Sequence, residues 1–169
     1  MPVVQSLVAI TALRRGPQDL PYSPGLLAGV VGINAILHLA ALTLAPWYAG
    51  DVSVWLPLAI SLGYTALFFD GVLQLRDLGH RRVKTLTAVF GTDCVVGLVL
   101  LIPITLGDWQ SPSAPGLATL VTALTLWQLA ILTHILRHAL SARLGEAIGW
   151  TLAYGAGTVV LHLLLGGSA

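Results

Sequence analysis

Long apolar runs, broken at short intervals by proline, glycine and charge, set the pattern of this chain. Five of them, over about 25–46, 54–75, 85–106, 116–137 and 147–165, each come near the ~20 residues that a hydrocarbon core requires of a helix. They are too long for barrel strands and lack the period-two alternation of one. The pattern predicts an all-α membrane protein: a five-span helical bundle over 25–169, preceded by a segment over 1–24. Residues 1–13 are apolar but too short to cross, and Arg14-Arg15 follows that run, the reverse of a secretory signal. This stretch reads as an interfacial helix or a short arm at the inner surface.

The boundaries carry their own signals. Pro17, Pro21 and Pro24 hold the approach to the first span extended, because proline in a helix interior loses a hydrogen bond. Pro46 and Trp47-Tyr48 close that span, and Trp55 and Trp109 mark the same outer level, as interfacial aromatic belts do. Pro57 falls in a first turn and Pro103 in a last turn. Ser111-Pro112-Ser113-Ala114-Pro115 reads as the longest outer turn.

Composition agrees. Of 169 residues, 56% are hydrophobic and 9% charged, with a mean hydropathy of +0.87. A soluble domain carries about a quarter charged residues, so a water-facing surface and a soluble catalytic module are both excluded. The single Cys94 forms no internal disulfide. Placement of charge says more than its sum. Arg14 and Arg15 precede the first run; Arg76, Arg81, Arg82 and Lys84 lie between the second and third; Arg137 and Arg143 lie between the fourth and fifth. The connections around Asp51 and Asp108 carry neither Lys nor Arg. Cations near span ends stay on the cytoplasmic side, so the N-terminus is expected inside and the C-terminus outside. Short loops, compact size and a high Ala, Leu and Gly content look bacterial, and the expected location is a bacterial inner membrane. The same basic residues attract anionic lipid headgroups, at ~1 kcal/mol per cation, and need no nucleic acid to explain them.

Small residues offer a packing signal. Gly145, Gly149, Ala153 and Gly157 recur every four residues on the fifth span, and Gly25 and Gly29 do so on the first. Such spacing lets helix backbones approach closely, either within the chain or at a seam with a second copy or another membrane protein.

Polar residues inside spans are the default place to look for function. Asn34 and His38 share a face of the first span. Trp150, Tyr154, Thr158 and His162 form a polar-aromatic stripe on the fifth. His38 and His162 lie at similar depths, roughly 20 and 22 Å from the inner ends of their helices. They are candidates to ligate a b-type haem, or to hydrogen-bond each other or neighbouring carbonyls; their leucine neighbours leave little room for a macrocycle. Nearer the inner surface, Asp70 and Gln74 share a face, and Asp93 lies about 12 Å into the third span. Trp127, His134, Arg137 and His138 fall on one side of the fourth. Carboxylate and imidazole within one bundle are the material of a proton relay. The structural alternative pairs Asp70 with Arg76, and leaves Asp93 protonated or bonded to Thr92 and a neighbouring helix. His134 and His138 have the spacing of a helical ligand pair, but no glutamate completes a metal motif.

Five spans, an inner N-terminus, short loops and a basic second inner loop resemble the Yip family of Rab/Ypt-interacting membrane proteins and its bacterial relatives. The local matches are QDLPYSPGLL at 18–27, LGYTALFF at 62–69 and HRRVKTLTAVFGTDCVVGLVLLIP at 80–103. Asp19-Leu20-Pro21-Tyr22 keeps part of the family's Asp-Leu-Tyr-Gly-Pro element. The resemblance implies the five-span fold and topology, and no catalytic residue. Together these readings predict a non-enzymatic, multi-pass accessory or membrane-organising protein with no bound cofactor, working through helix–helix and inner-loop contacts with membrane lipids and with a membrane-protein partner or a second copy. The rival is a small transport, proton-relay or haem-binding subunit built on Asp93 and the histidines.

Overall fold

The structure, a computed structural model, describes residues 3–44, 54–106 and 114–166. Pro46, Trp47, Tyr48, Asp51, Asp108, Trp109 and Ser111 to Ser113 therefore lie outside the described residues, as does the side chain of His162. Among the described residues every regular element is helical: α1 (Val3–Thr11), α2 (Pro24–Leu44), α3 (Trp55–Leu75), α4 (Arg82–Leu106), α5 (Ala114–Ala139) and α6 (Leu144–Gly166), with two single 3-10 turns, an elbow at Pro17–Asp19 and a second at Gly79–Arg81. Four helical stretches among the described residues, Pro24–Leu44, Trp55–Leu75, Gly79–Thr105 and Gly116–Ala139, are long and apolar enough to cross a membrane. With no water in a bilayer core, a helix satisfies all of its backbone groups within itself, which is why apolar runs of this length become helices.

The expected boundaries shift where local chemistry allows. α2 starts at Pro24, with Ser23 Oγ accepting the Leu26 N–H at 3.1 Å, so a serine cap and a first-position proline begin it together. α4 starts at Arg82 rather than 85, the basic residues being good helix formers. Ala114 and Pro115, expected in a turn, already belong to α5.

The helices form a closed ring in the order α2, α3, α6, α5, α4, and α4 also touches α3 across it. Half of the apolar window of α4 is buried, against 11% for α2 and for α5, which makes α4 the central element. Thr87 and Thr92 sit buried on it because each hydroxyl bonds the carbonyl four residues back. The outer surface is apolar: Ile36, Leu67, Leu126, Leu152 and Leu163 are each more than half exposed. In water such a surface would drive aggregation; in lipid it costs nothing.

α1 is a helix docked on the bundle, not a free arm. It packs against α4 and α5, burying Ser6, Leu7 and Ile10. A β-carbon at Gly91 would run into the Leu7 side chain, so α1 seats on α4 where glycine lets it approach.

Three turns gather at the basic end of the bundle, and they share one geometry. Leu13, Asp77 and Ser141 each have positive φ, at 59°, 56° and 52°. Around them Arg14, Leu78 and Ala142 donate to the carbonyls of Ala9, Leu73 and Arg137. These are Schellman closures of α1, α3 and α5, made without glycine.

Candidate functional site

Asp93 stands at the centre of a polar cluster that no single helix supplies. It lies roughly 16 Å along α4 from Arg82. Asn34 of α2 donates through Nδ2 to its Oδ2 at 2.7 Å, and Gln128 of α5 donates through Nε2 to its Oδ1 at 3.1 Å. His38 Nε2 lies 3.8 Å from Oδ2, while His38 Nδ1 faces the Asn34 carbonyl at 3.2 Å. A carboxylate only accepts hydrogen bonds, so it turns the nitrogen of each amide toward itself. The oxygens are left over: Asn34 Oδ1 and Gln128 Oε1 are buried without a partner in the described structure. An unsatisfied buried acceptor costs about 1–3 kcal/mol.

This cluster borders a cavity of 480 Å³ inside the ring. All five long helices line it, with Asn34, Thr65, Asp93, Gln128, Thr151 and Thr158 among its polar residues. Its α3–α6 wall is aromatic and hydrogen-bonded. Tyr64 donates to the Tyr154 carbonyl at 2.9 Å, Tyr154 and Thr65 share a hydroxyl bond of 2.9 Å, and Tyr64 stacks on Tyr154 with ring centroids 5.4 Å apart. Thr133 donates to Thr151 at 2.9 Å across the α5–α6 seam. The side chains of Asp93 and His38 keep 30% and 36% of their surface open, so both are reachable from a space of ligand-like size.

The other anticipated groups go elsewhere. Asp70 does not pair with Arg76: Gln74 donates to its Oδ2 at 2.7 Å, and Arg82 Nε lies 3.7 Å from Oδ1. Arg76 pairs with Glu146 of α6 instead. Six residues on a helix put Arg76 about 120° round from Asp70, on the side of the start of α6, whereas Gln74, four residues on, shares the Asp70 face. Thr92 is not a partner of Asp93 either, because its hydroxyl is spent on Ala88 and Val89. The α5 stripe holds the N-terminal segment: Trp127 Nε1 donates to the Thr11 carbonyl at 3.2 Å, and His134 Nε2 meets the Arg15 carbonyl at 2.9 Å. His134 stacks edge-on with His138 at 4.5 Å and does not face Asp93. Among the described residues no group of three His, Cys, Asp or Glu is placed to hold a metal ion.

The α6 stripe divides. A β-carbon at Gly157 would collide with the Tyr64 hydroxyl, so Gly157 is a packing glycine. Gly145 and Gly149 have nothing within 4 Å of such a carbon, and Ala153 is exposed. Gly25 and Gly29 of α2 are exposed too. A four-residue repeat drifts by about 40° per step on a helix of 3.6 residues per turn. Over the stripe that drift carries Gly157 round to α3 and leaves Gly145 and Gly149 outside.

Gln128 and Thr65 were missed as candidates. Gln128 had a usable signal, an amide in the middle of an apolar span; Thr65 had none, since threonines that bond their own helix look the same in sequence. No family model matches the chain, and no curated protein or solved structure matches it.

Proposed function

We propose that this is a five-span integral protein of a bacterial cytoplasmic membrane, N-terminus inside and C-terminus outside, that takes up a small cation, a proton in the simplest case, at Asp93. α6, 23 residues long, supplies the fifth span in this reading. The gathering of Arg and Lys at one end of the bundle supports the orientation. The cation reading is carried by one observation: Asp93 and two residues with orphaned amide oxygens, Asn34 and Gln128, line the same intramembrane cavity. A proton, a sodium ion or a protonated amine satisfies acceptors, and acceptors are what this site has in surplus. His38 offers a second proton carrier 3.8 Å away. Both of its ring nitrogens face protein groups, which favours a relay over haem ligation. The protein is read as non-enzymatic, and kinship with the Yip family is proposed for the topology alone.

The test is thermal unfolding of the purified protein across pH and in sodium, ammonium or choline salts. Wild type is expected to respond to pH or to one of the small cations more strongly than Asp93→Asn does. Superimposable responses in the two proteins overturn the reading. A reporter fused after Ala169 is expected outside the cell; an inside signal removes a span.

A second reading, a membrane-organising accessory, is favoured by the outward stripe of Gly145, Gly149 and Ala153. That face suits close approach of another helix, from a second copy or from a membrane-protein partner.

A further inference from the structure

We propose that the basic end of the bundle holds a binding pocket for a phosphate oxyanion, carried either by a lipid headgroup or by a free phosphorylated compound. The pocket is separate from Asp93. It encloses 640 Å³ between the Pro17-Gln18 elbow, the start of α4 and the end of α5. Arg81, Lys84, Arg137, His80 and His138 line it, and no Asp or Glu does. Asp19, the acid of the elbow, accepts the Gly16 N–H at 3.1 Å and is not part of the wall.

Ion pairing separates these cations from their neighbours. Arg76 and Arg82, outside the pocket, are matched with Glu146 and Asp70. Arg81, Lys84 and Arg137, inside it, make no ion pair among the described residues. Two of them are held in place by neutral acceptors. Arg81 spends Nη1 on the Ala139 carbonyl at 2.8 Å and the Ser141 hydroxyl at 2.9 Å, and Lys84 spends one donor on the Gln18 carbonyl at 3.0 Å. The carbonyl is the last of α5, and the hydroxyl comes from the left-handed turn that closes that helix. Positioned cations with donors to spare and no carboxylate partner are the requirement for charge-assisted recognition of phosphate.

A buried neutral group points to a ligand as well. Thr85 is 1% exposed and borders the pocket, yet its hydroxyl has no hydrogen-bond partner, unlike those of Thr87 and Thr92 further along α4. A phosphate oxygen would accept from it.

The experiment uses the whole protein in a zwitterionic detergent, titrated with inorganic phosphate and, separately, with short-chain phosphatidylglycerol, and read by thermal shift. Arg137→Gln and Thr85→Val remove pocket donors. Arg143→Gln removes the same charge from an exposed site outside it. Saturable binding by wild type is expected, weakened about tenfold or more by Arg137→Gln, as loss of a charge-assisted bond implies, and several-fold by Thr85→Val. Arg143→Gln is expected to change it less than about twofold. Saturation by phosphatidylglycerol alone identifies a lipid headgroup as the ligand; saturation by inorganic phosphate as well identifies a free phosphorylated compound. Equal losses in Arg137→Gln and Arg143→Gln mean diffuse attraction and overturn the pocket, as does the absence of saturable binding by either probe.

Discussion

The side-chain amide of Asn34 donates to the carboxylate of Asp93 at 2.7 Å, joining α2 to α4 across 59 residues of sequence. Asn34 is 1% exposed and also reaches the Phe90 carbonyl at 3.4 Å. A carboxylate inside an apolar bundle is costly unless donors surround it, and this bond is the shorter of the two that do so.

Asn34→Leu is therefore expected to lower stability in detergent by about 2 kcal/mol, since it strands a buried acceptor. Asp93→Leu combined with Asn34→Leu is expected to recover part of that loss, because the stranded acceptor is removed, while Gln128 Nε2 loses its own acceptor. A double-mutant cycle by denaturant unfolding checks the coupling, and strict additivity would deny that the contact matters.

Glycines on α6 are expected to diverge. Gly157→Ala pushes on the Tyr64 hydroxyl and its bond to the Tyr154 carbonyl, and should cost about 1–3 kcal/mol. Gly149→Leu meets open space, so the thermal midpoint of the isolated chain should hold. If the outward stripe is a seam, Gly149→Leu weakens assembly without loosening the fold; complex size by native mass spectrometry reads this directly.

Release of α1 is expected from Gly91→Val, which fills the space Leu7 occupies, and more gently from Trp127→Phe, which removes the bond to the Thr11 carbonyl. Hydrogen exchange over residues 3–11 should speed up in both. Unchanged protection would show that α1 is held by its other contacts.

Leu13→Gly is expected to stabilise the fold by about 1 kcal/mol, because a residue without a Cβ avoids the strain of a left-handed leucine. A drop in the thermal midpoint would mean that the Leu13 side chain packs to greater benefit than its backbone costs.

Much of the helical architecture was legible in the residues themselves. Pro24, the apolar runs and the basic clusters act over one or two turns, so helix existence and ends followed from local chemistry. The intramembrane polar residues were legible only as a roster. Asp93 stood out as expensive, yet its partners proved to be Asn34 and Gln128, with His38 beside them, and neither Thr92 nor His134. Asp70 found Arg82 and not Arg76, because six residues on a helix turn Arg76 about 120° away while the left-handed turn at Asp77 folds the following chain back alongside.

What sequence by itself determined is which segments are helical and which end carries the cations, since in a chain this apolar each helix satisfies its own backbone, and Lys and Arg keep to the connections and helix ends. Only the tertiary structure decided which face each helix turns inward. Rotation about a helix axis is set by packing against neighbours distant in sequence, and a drift of about 40° per four residues is enough to send Gly157 to Tyr64 and Gly149 outside. The same rotations brought Asn34, Asp93 and Gln128 from three helices to one cavity, and Arg81, Lys84 and Arg137 to another.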